Sequence, residues 1–247
     1  MIESISFAIC THNESSYIKL LLSQLITFLK MDRSDIKYEI VIVDDNSTDV
    51  ETLKIFDEYQ NKINLFKHSL NGDFSAHKNF MNSKCQGQWI LNLDADENIN
   101  LNFLAFISDL IDANPKIDAY WVPRINKVYG LTLKDVQKWG WVLTKFDDFI
   151  NISSMDHNEE YDLLKQYNFI INEDNDVVTY YEPIINWPDF QMRLYKNDPN
   201  IKWTKKVHEQ LVGFSNYGIL PQKIEFSIQH FKDINRQKKQ NEFYQTL

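Results

Sequence analysis

The chain has 247 residues, a formal net charge of −9 and a hydrophobic fraction of 43%. This length and composition are typical of one large α/β domain or two small ones, and they exclude a disordered chain. The negative charge argues against extended contact with a nucleic acid backbone. No apolar run reaches the about 18 residues that a membrane-spanning helix needs, so we expect no transmembrane segment.

The cysteine content and the first residues bear on the compartment. Cys10 and Cys85 are too few for a disulfide framework and lack metal-site spacing, so we expect reduced thiols in or near the core. The amino-terminal residues contain no basic stretch followed by an apolar block, which is the pattern of a secretory leader. Together these features predict a cytoplasmic location.

The first half of the chain alternates strands with helices. Apolar, β-branched runs predict strands, and apolar residues at helical spacing predict helices. The predicted elements are strands over 4–10, 38–43, 63–66 and 89–94 and helices over 17–29, 50–59, 75–84 and 101–114. The order β-α-β-α-β-α-β indicates an α/β fold with a mostly parallel, doubly wound sheet.

The second half is less regular. Ten acids and two lysines lie between Lys145 and Glu182, so this segment carries most of the net charge. We interpret residues 126–186 as an acidic insertion. The elements predicted after residue 114 are a strand over 118–123, a helix over 160–167, a strand over 187–195, a last strand over 224–230 and a terminal helix over 233–245.

An acidic cluster follows the fourth predicted strand. The apolar residues 89–93 continue into Asp94, Ala95, Asp96 and Glu97. Along an extended chain, Asp94 and Asp96 would lie on the same side, and two close carboxylates repel each other unless a cation lies between them. Oxygen ligands suit Mg²⁺ or Mn²⁺, and parallel α/β sheets bind ligands beyond the carboxyl ends of their strands. A solvated acidic turn is the alternative interpretation.

Three motifs, in order along the chain, carry a resemblance to a known family. Residues 41–49 contain Asp44 and Asp45 and look like the V-V-D-D-x-S-x-D nucleotide motif of family 2 glycosyltransferases with a GT-A fold. Asp94-Ala95-Asp96 stands in the place of their D-x-D metal motif. Residues 76–79 fill the place of their A-R-N segment, with Lys78 instead of arginine.

The later part of the chain is similar to two narrower groups. Residues 191–195 and 203–209 are similar to the subgroup that includes bacterial lipopolysaccharide-core glycosyltransferases, and residues 236–244 are similar to small phage-encoded members. The insertion at 126–186 matches no pattern of the family. The resemblance therefore covers residues 4–125 well and 187–230 in part.

The resemblance implies an architecture and an activity. It implies a GT-A fold in which residues 1–125 bind a nucleotide-sugar, residues 126–186 lie on the acceptor side and residues 187–247 complete the active site. The implied reaction is a metal-dependent, inverting transfer from a UDP-sugar or a similar donor to a hydroxyl group, with Mn²⁺ or Mg²⁺ as cofactor. The implied acceptor is a cell-surface glycan or a lipopolysaccharide precursor.

Two alternatives stay open at this point. One is a phage glycosyltransferase that acts on modified DNA bases. The acidic insertion counts against this alternative, and it is the one form in which a nucleic acid would be a partner. The other is a non-catalytic module that binds a glycan or a protein on the same scaffold.

The resemblance also assigns roles to single residues. Asp96 and His208 are the implied metal ligands, and either Asp189 or Glu209 is the general base. We expect Arg193 to clamp the diphosphate, with a buried ion pair as the alternative. Glu97 is expected either beside the metal site or at a helix start. The residues predicted to bind the nucleotide-sugar are Thr11, Asn13, Asp44, Asp45, Lys78, Asp94, Ala95 and Arg193.

Overall fold

The computed structural model describes residues 1–144, 169–171, 177–179 and 184–244. The chain divides into two compact units, the first formed by Met1–Val122 and Phe190–Ile228 and the second by Pro123–Asp189 and Gln229–Leu247. The predicted helix over 160–167 lies outside the described residues. Within the described ranges, the helices are all too short or too polar to cross a bilayer.

The order of strands and helices in the first half agrees with the prediction except for β5, a short strand that was not predicted. The strands are β1 (Ser4–Thr11), β2 (Lys37–Asp44), β3 (Asn64–Lys67), β4 (Trp89–Asp94), β5 (Glu97–Ile99), β6 (Ala119–Tyr129), β7 (Leu143–Thr144), β8 (Phe169–Ile171), β9 (Val177–Thr179), β10 (Ile184–Lys196), β11 (Lys202–Thr204), β12 (Gln210–Val212), β13 (Tyr217–Ile219) and β14 (Ile228–Asp233). The helices are α1 (Ser15–Met31), α2 (Val50–Tyr59), α3 (Phe74–Asn82), α4 (Leu101–Ala113), α5 (Leu133–Trp139) and α6 (Ile234–Tyr244).

The first unit is built on a mostly parallel sheet. Strands β3, β2, β1 and β4 lie side by side in that order and run parallel, and β10 adds antiparallel to β4. Along the chain, β2 and β3 are added on one side of β1, and β4 is then added on the other side. This reversal of direction is typical of a doubly wound sheet. The predicted fold class is confirmed in this unit.

Burial explains why these segments become central strands and covering helices. Phe7, Ile9, Ile42 and Leu91 are fully buried, as expected for strands that are covered on both faces. Helix α1 buries the stripe predicted from its spacing, which consists of Ile18, Leu21, Leu22, Leu25 and Ile26. This apolar stripe packs with the strands into one core cluster.

The entry to β4 requires a glycine. A Cβ atom at Gly87 would lie 2.5 Å from the backbone nitrogen of Ser6, closer than atoms can approach. The Gly87 N–H instead donates a hydrogen bond of 2.8 Å to the Ser6 hydroxyl. This close approach brings β4 alongside β1 in its observed register.

The later elements of the first unit include three short strands that were not predicted, and one predicted strand is partly wrong. Strands β11 and β12 form an antiparallel hairpin, and β13 pairs in parallel with β6. The strand predicted over 224–230 is wrong in its first half, because Ile224–Phe226 form a 3₁₀ turn and β14 begins at Ile228. The side-chain hydroxyl of Ser227 bonds to the carbonyl of Lys223, which stabilises the turn.

The second unit has its own small core. Val128, Leu131, Val136 and Ile185 are buried together. Helix α5 begins at a capping box in which Thr132 and Asp135 bond to each other's backbone N–H groups. Strand β7 pairs antiparallel with β10, and β8 pairs antiparallel with β9.

Candidate functional site

The carboxyl ends of three parallel strands meet at one edge of the first unit. The register places Thr11 beside Asp44 and Cys10 beside Asp94. Strand β3 ends at Lys67, whose partner in β2 is also Asp44. The predicted donor-binding residues at the ends of β1, β2 and β4 therefore lie along the same edge, as the doubly wound topology requires.

Asp44 and Asn13 hold the loop that follows β2. Asp44 is fully buried, and its carboxylate accepts hydrogen bonds from the backbone N–H and the hydroxyl of Ser47. The side-chain oxygen of Asn13 accepts from the backbone N–H groups of Thr48 and Asp49, each at 2.8 Å. These contacts give both residues a part in shaping the edge of the sheet.

Asp45 and Thr11 present polar atoms at this edge. Asp45 is partly exposed, and its Oδ1 atom accepts a hydrogen bond of 2.8 Å from the backbone N–H of Leu70. The Thr11 hydroxyl is buried and has no hydrogen-bond partner among the described residues. A buried polar group without a partner is costly, which makes this hydroxyl a candidate contact for a ligand.

Two histidines border Asp45. The Nδ1 atoms of His68 and His77 lie 3.1 Å apart, so one ring donates a hydrogen bond from Nδ1–H to the Nδ1 atom of the other. Burial, followed by the nearby charge of His68, lowers the pKa of His77 below its ordinary value. The sequence carries no signal for this pair, because an isolated histidine on a helix gives no hint of its neighbour.

Arg193 is held between two carboxylates. Its Nη2 atom lies 2.5 Å from Oδ2 of Asp94 and 2.5 Å from Oε1 of Glu97. Burial alone would lower the pKa of the Arg193 guanidinium, but the charges of Asp94 and Glu97 outweigh burial and raise that pKa. Glu97 opens β5 and is therefore not a helix-start residue.

The acids at the end of β4 have different environments. The strand ends at Asp94, and Ala95 and Asp96 form a turn, so the extended-chain alternation expected for Asp94 and Asp96 does not hold. Asp96 is buried.

His208, the other predicted metal ligand, follows the hairpin strand β11. It is exposed and has a left-handed backbone with φ of 52°.

The described residues contain no group of three or more His, Cys, Asp or Glu side chains that could hold a metal by themselves. Arg193 is bonded to both Asp94 and Glu97, so its single positive charge faces two carboxylates. A divalent cation here would therefore draw most of its oxygen ligands from the diphosphate of a donor and from water, as Mg²⁺ commonly does.

Lys78 and Glu209 form a second ion pair in the first unit. The Nζ atom of Lys78 lies 2.6 Å from Oε1 of Glu209 and 4.5 Å from the centre of the Trp203 ring. Trp203 is buried and donates from Nε1 to the hydroxyl of Tyr195, so it belongs to the core. The structure therefore brings together one predicted donor contact and one predicted general base.

The two ion pairs share a common neighbourhood. Burial raises the pKa of the Cys10 thiol to about 12. The charges of Lys78, Asp94, Glu209 and Arg193 also act on this pKa, so both ion pairs lie near Cys10. With Glu97, the cluster contains two cations and three carboxylates, which is a net charge of −1. This five-residue cluster thus carries no surplus of positive charge for an anionic ligand.

The other predicted base lies in the second unit. Oδ2 of Asp189 accepts hydrogen bonds from Nη2 of Arg124 at 2.6 Å and from the side-chain amide of Asn126 at 2.8 Å. The Asn126 oxygen then faces Nδ1 of the buried His230 at 2.8 Å. Because a carboxylate fixes the amide orientation of Asn126, His230 carries its proton on Nδ1.

Comparison with known proteins identifies the family. Residues 6–159, more than half of the chain, match the family described as Glycosyl transferase family 2, and the chain belongs to this family. This membership and the mixed α/β architecture with a mostly parallel sheet confirm the predicted GT-A class.

Individual relatives match parts of the chain. The poly(ribitol-phosphate) beta-N-acetylglucosaminyltransferase TarS of Staphylococcus aureus is 34% identical over 110 residues, which cover 43% of this chain and 18% of that protein. A crystal structure of S. aureus TarS residues 1–349 with UDP-GlcNAc is 30% identical and covers 53% of this chain and 35% of that chain, with a TM-score of 0.38.

A further solved structure is the mannosyltransferase PcManGT of Pyrobaculum calidifontis with GDP-Man and Mn²⁺. It is 21% identical, covers 50% of this chain and 36% of that chain, and has a TM-score of 0.40. In each comparison the match spans well under two thirds of the relative's length.

Proposed function

We propose that this protein transfers a sugar from a nucleotide-sugar donor to a hydroxyl group of an acceptor. The acceptor oxygen forms a bond to the anomeric carbon while the bond from that carbon to the diphosphate breaks. The hydroxyl proton passes to a carboxylate of the protein, and the nucleoside diphosphate leaves with the bonding electron pair. Membership of glycosyl transferase family 2 and the polar edge of the sheet support this proposal.

The net charge of the cluster formed by Lys78, Glu209, Arg193, Asp94 and Glu97 supports a requirement for a metal ion. Both cations of the cluster, Lys78 and Arg193, are already paired with carboxylates. A diphosphate placed beside a cluster of net charge −1 would be repelled unless additional positive charge came with it. A divalent cation supplies that charge, and when bound it stabilises the leaving diphosphate as a Lewis acid.

Within this proposal, the residues of the first unit divide the work. Asp96 and His208 are the proposed metal ligands, and Thr11, Asp45 and Lys78 are the proposed contacts to the nucleotide. Asp94 lies nearer the ribose, with Ala95 in the turn between the acids. Asn13 and Asp44 hold the loop against which the base would pack. The choice of general base between Asp189 and Glu209 stays a prediction.

The donor and acceptor are proposed from the relatives. TarS is named for transfer of N-acetylglucosamine to poly(ribitol-phosphate), so UDP-GlcNAc is the first donor to test, and a cell-surface glycan is the acceptor class that we favour. The lipopolysaccharide precursor, the modified DNA base and the cytoplasmic location stay predictions from the sequence.

The test is transfer of radiolabelled sugar from UDP-GlcNAc, UDP-Glc and GDP-Man in the presence of Mn²⁺. Acceptors are a ribitol-phosphate polymer, a lipopolysaccharide core fragment and DNA with hydroxymethylated bases, and slow hydrolysis of the donor is followed in parallel. We expect turnover with at least one donor and a loss of at least about 100-fold in Asp96→Asn, because one direct metal ligand is removed.

The matched control is Asp109→Asn, at an exposed position of α4 in the same unit. It should retain full turnover. If the wild-type protein neither transfers nor hydrolyses any donor and also binds no nucleoside diphosphate, the proposed function is wrong. Binding of a glycan without binding of any nucleotide would instead identify a non-catalytic module.

A further inference from the structure

Glu97 accepts hydrogen bonds from the backbone of Asp94 and from Arg193, which also binds the side chain of Asp94. Its Oε2 atom accepts a hydrogen bond of 2.9 Å from the backbone N–H of Asp94. Its Oε1 atom accepts from Nη2 of Arg193 at 2.5 Å, and the same Nη2 donates to Oδ2 of Asp94 at 2.5 Å. The three residues thus form a closed ring of contacts around the end of β4.

The ring is anchored in the core. Glu97 is 0% exposed and Arg193 is 3% exposed. Arg193 also donates from Nη1 to the side-chain oxygen of Asn92, a buried residue of β4. A charged pair with this burial has few alternative positions, because moving either partner would leave an uncompensated charge away from water.

These contacts conflict with the role that the resemblance gives to Arg193. A diphosphate clamp must present N–H groups to the ligand. Here Nη2 is bonded to Asp94 and Glu97, and Nη1 is bonded to Asn92. Both two-nitrogen edges of the guanidinium include Nη2, so neither edge is open for a bidentate contact with a phosphate. A guanidinium that binds two carboxylates cannot give the same N–H groups to a phosphate.

We propose that Glu97 and Arg193 are positioning residues that fix the backbone and the carboxylate of Asp94, and that Arg193 does not clamp the diphosphate. This inference rests on the proposed function, because Asp94 is taken to face the donor. Loss of this pair would remove one hydrogen bond from the Asp94 backbone and one ion pair from its side chain, at the residue that precedes the turn containing Asp96.

The test is calorimetric titration of UDP in excess Mn²⁺ into wild type, Glu97→Gln and Arg193→Gln. The glutamine at position 97 keeps the size of the side chain but brings an N–H₂ group toward two donors, the Asp94 N–H and Arg193. We expect UDP binding to weaken by about 10–100-fold in both variants, which is the usual effect of losing a partner that orients a ligand-binding side chain.

The clamp model predicts a different pattern. If Arg193 bound the diphosphate, Glu97→Gln would remove a negative charge next to the anion and leave the clamp in place. UDP would then bind as tightly as to wild type or more tightly, while Arg193→Gln alone would weaken binding. Unchanged or tighter binding by Glu97→Gln therefore overturns the positioning role.

The matched control separates positioning from general stability. Asp118 on the same unit pairs with Lys196, which lies on β10 three residues after Arg193, at 2.8 Å. Asp118 also accepts from the backbone N–H groups of Ser215 and Asn216. We expect Asp118→Asn to lower the melting temperature without changing the dissociation constant of UDP.

A double variant covers the case in which a single variant does not fold. Glu97→Gln combined with Arg193→Gln leaves no unpaired buried charge, and removing both partners of a buried pair is often tolerated. We expect this protein to fold and still to bind UDP about 10–100-fold more weakly than wild type. Wild-type affinity in the double variant contradicts the inference, whereas a wild-type protein that does not bind UDP contradicts the proposed function itself.

Discussion

The ammonium of Lys78 lies 2.6 Å from Oε1 of Glu209, and this contact joins α3 to the hairpin of β11 and β12. Backbone contacts reinforce the junction. The side chain of Asn79 exchanges two hydrogen bonds with the backbone of Trp203, and the Ser75 hydroxyl donates to the carbonyl of Lys205. The segment that carries His208 and Glu209 is therefore held against α3 at several points.

Breaking this ion pair should destabilise the protein. The side chains of Lys78 and Glu209 are 9% and 18% exposed, so Lys78→Met leaves a mostly buried carboxylate without its counter-ion. We expect the free energy of unfolding in urea to fall by about 2–3 kcal/mol, and Lys78→Met combined with Glu209→Gln to recover part of that loss. The exposed pair of Lys54 and Glu51 is the control, since Lys54→Met should cost about 0–1 kcal/mol.

Steady-state kinetics distinguish the two predicted bases. If Asp189 is the general base, Asp189→Asn should lower kcat by at least about 100-fold with little change in the affinity for UDP. Glu209→Gln should weaken UDP binding as well, because Glu209 holds Lys78. The assignment of Asp189 is wrong if Asp189→Asn keeps wild-type kcat while Glu209→Gln loses turnover at unchanged UDP affinity.

Thr11→Val should stabilise the fold and weaken donor binding. The Thr11 hydroxyl is buried without a partner among the described residues, so valine removes an unsatisfied group at nearly constant shape. We expect a gain of about 1 kcal/mol in the free energy of unfolding. In the matched variant Thr52→Val, a buried hydroxyl loses its hydrogen bond of 2.7 Å to Asp49, so stability should fall. Equal UDP affinity in Thr11→Val and wild type would remove Thr11 from the donor contacts.

The histidine pair should make stability depend on pH. Burial and His68 lower the pKa of His77 from its ordinary value of 6.5, so the unfolded chain binds this proton more tightly than the folded chain. The contribution of His77 is complete above that value and is lost as the pH falls toward the lower pKa of the folded state. The groups that face it are His68, Asp44, Asp45 and Lys78.

Urea unfolding measured between about pH 5 and pH 7 checks this prediction. We expect the free energy of unfolding to rise with pH across this window in wild type and to rise less steeply in His77→Gln. A His77→Gln protein with the wild-type slope would show that another group causes the dependence.

The sequence predicts most of the first unit because its signals are local. The β-branched run before Asp44 and the helical spacing of Ile18, Leu21 and Leu22 each lie within a single element, and the structure reproduces those elements. The carboxyl-edge placement of Asp44 and Asp94 also follows from parallel strand order alone. These inferences need no knowledge of contacts between distant residues.

The partners of the charged residues could not be predicted from such signals. Arg193 lies 96 residues from Glu97, and Lys78 lies 131 residues from Glu209. From the sequence alone, an arginine in a strand is equally compatible with a ligand contact and with a buried ion pair, because its neighbours in space are not known. The first half of the predicted strand over 224–230 failed for a different, local reason, since the Ser227 hydroxyl donates to the carbonyl of Lys223 and favours a turn.

We propose that the edge of the sheet binds a nucleoside diphosphate together with a divalent cation, because Lys78 and Arg193 are already paired with carboxylates. The direct measurement is calorimetric titration of UDP into the wild-type protein with Mn²⁺ and with EDTA. We expect binding with Mn²⁺ and a loss of at least about 10-fold in affinity with EDTA. Binding of UDP with equal affinity in both conditions, or no binding in either, would contradict the claim.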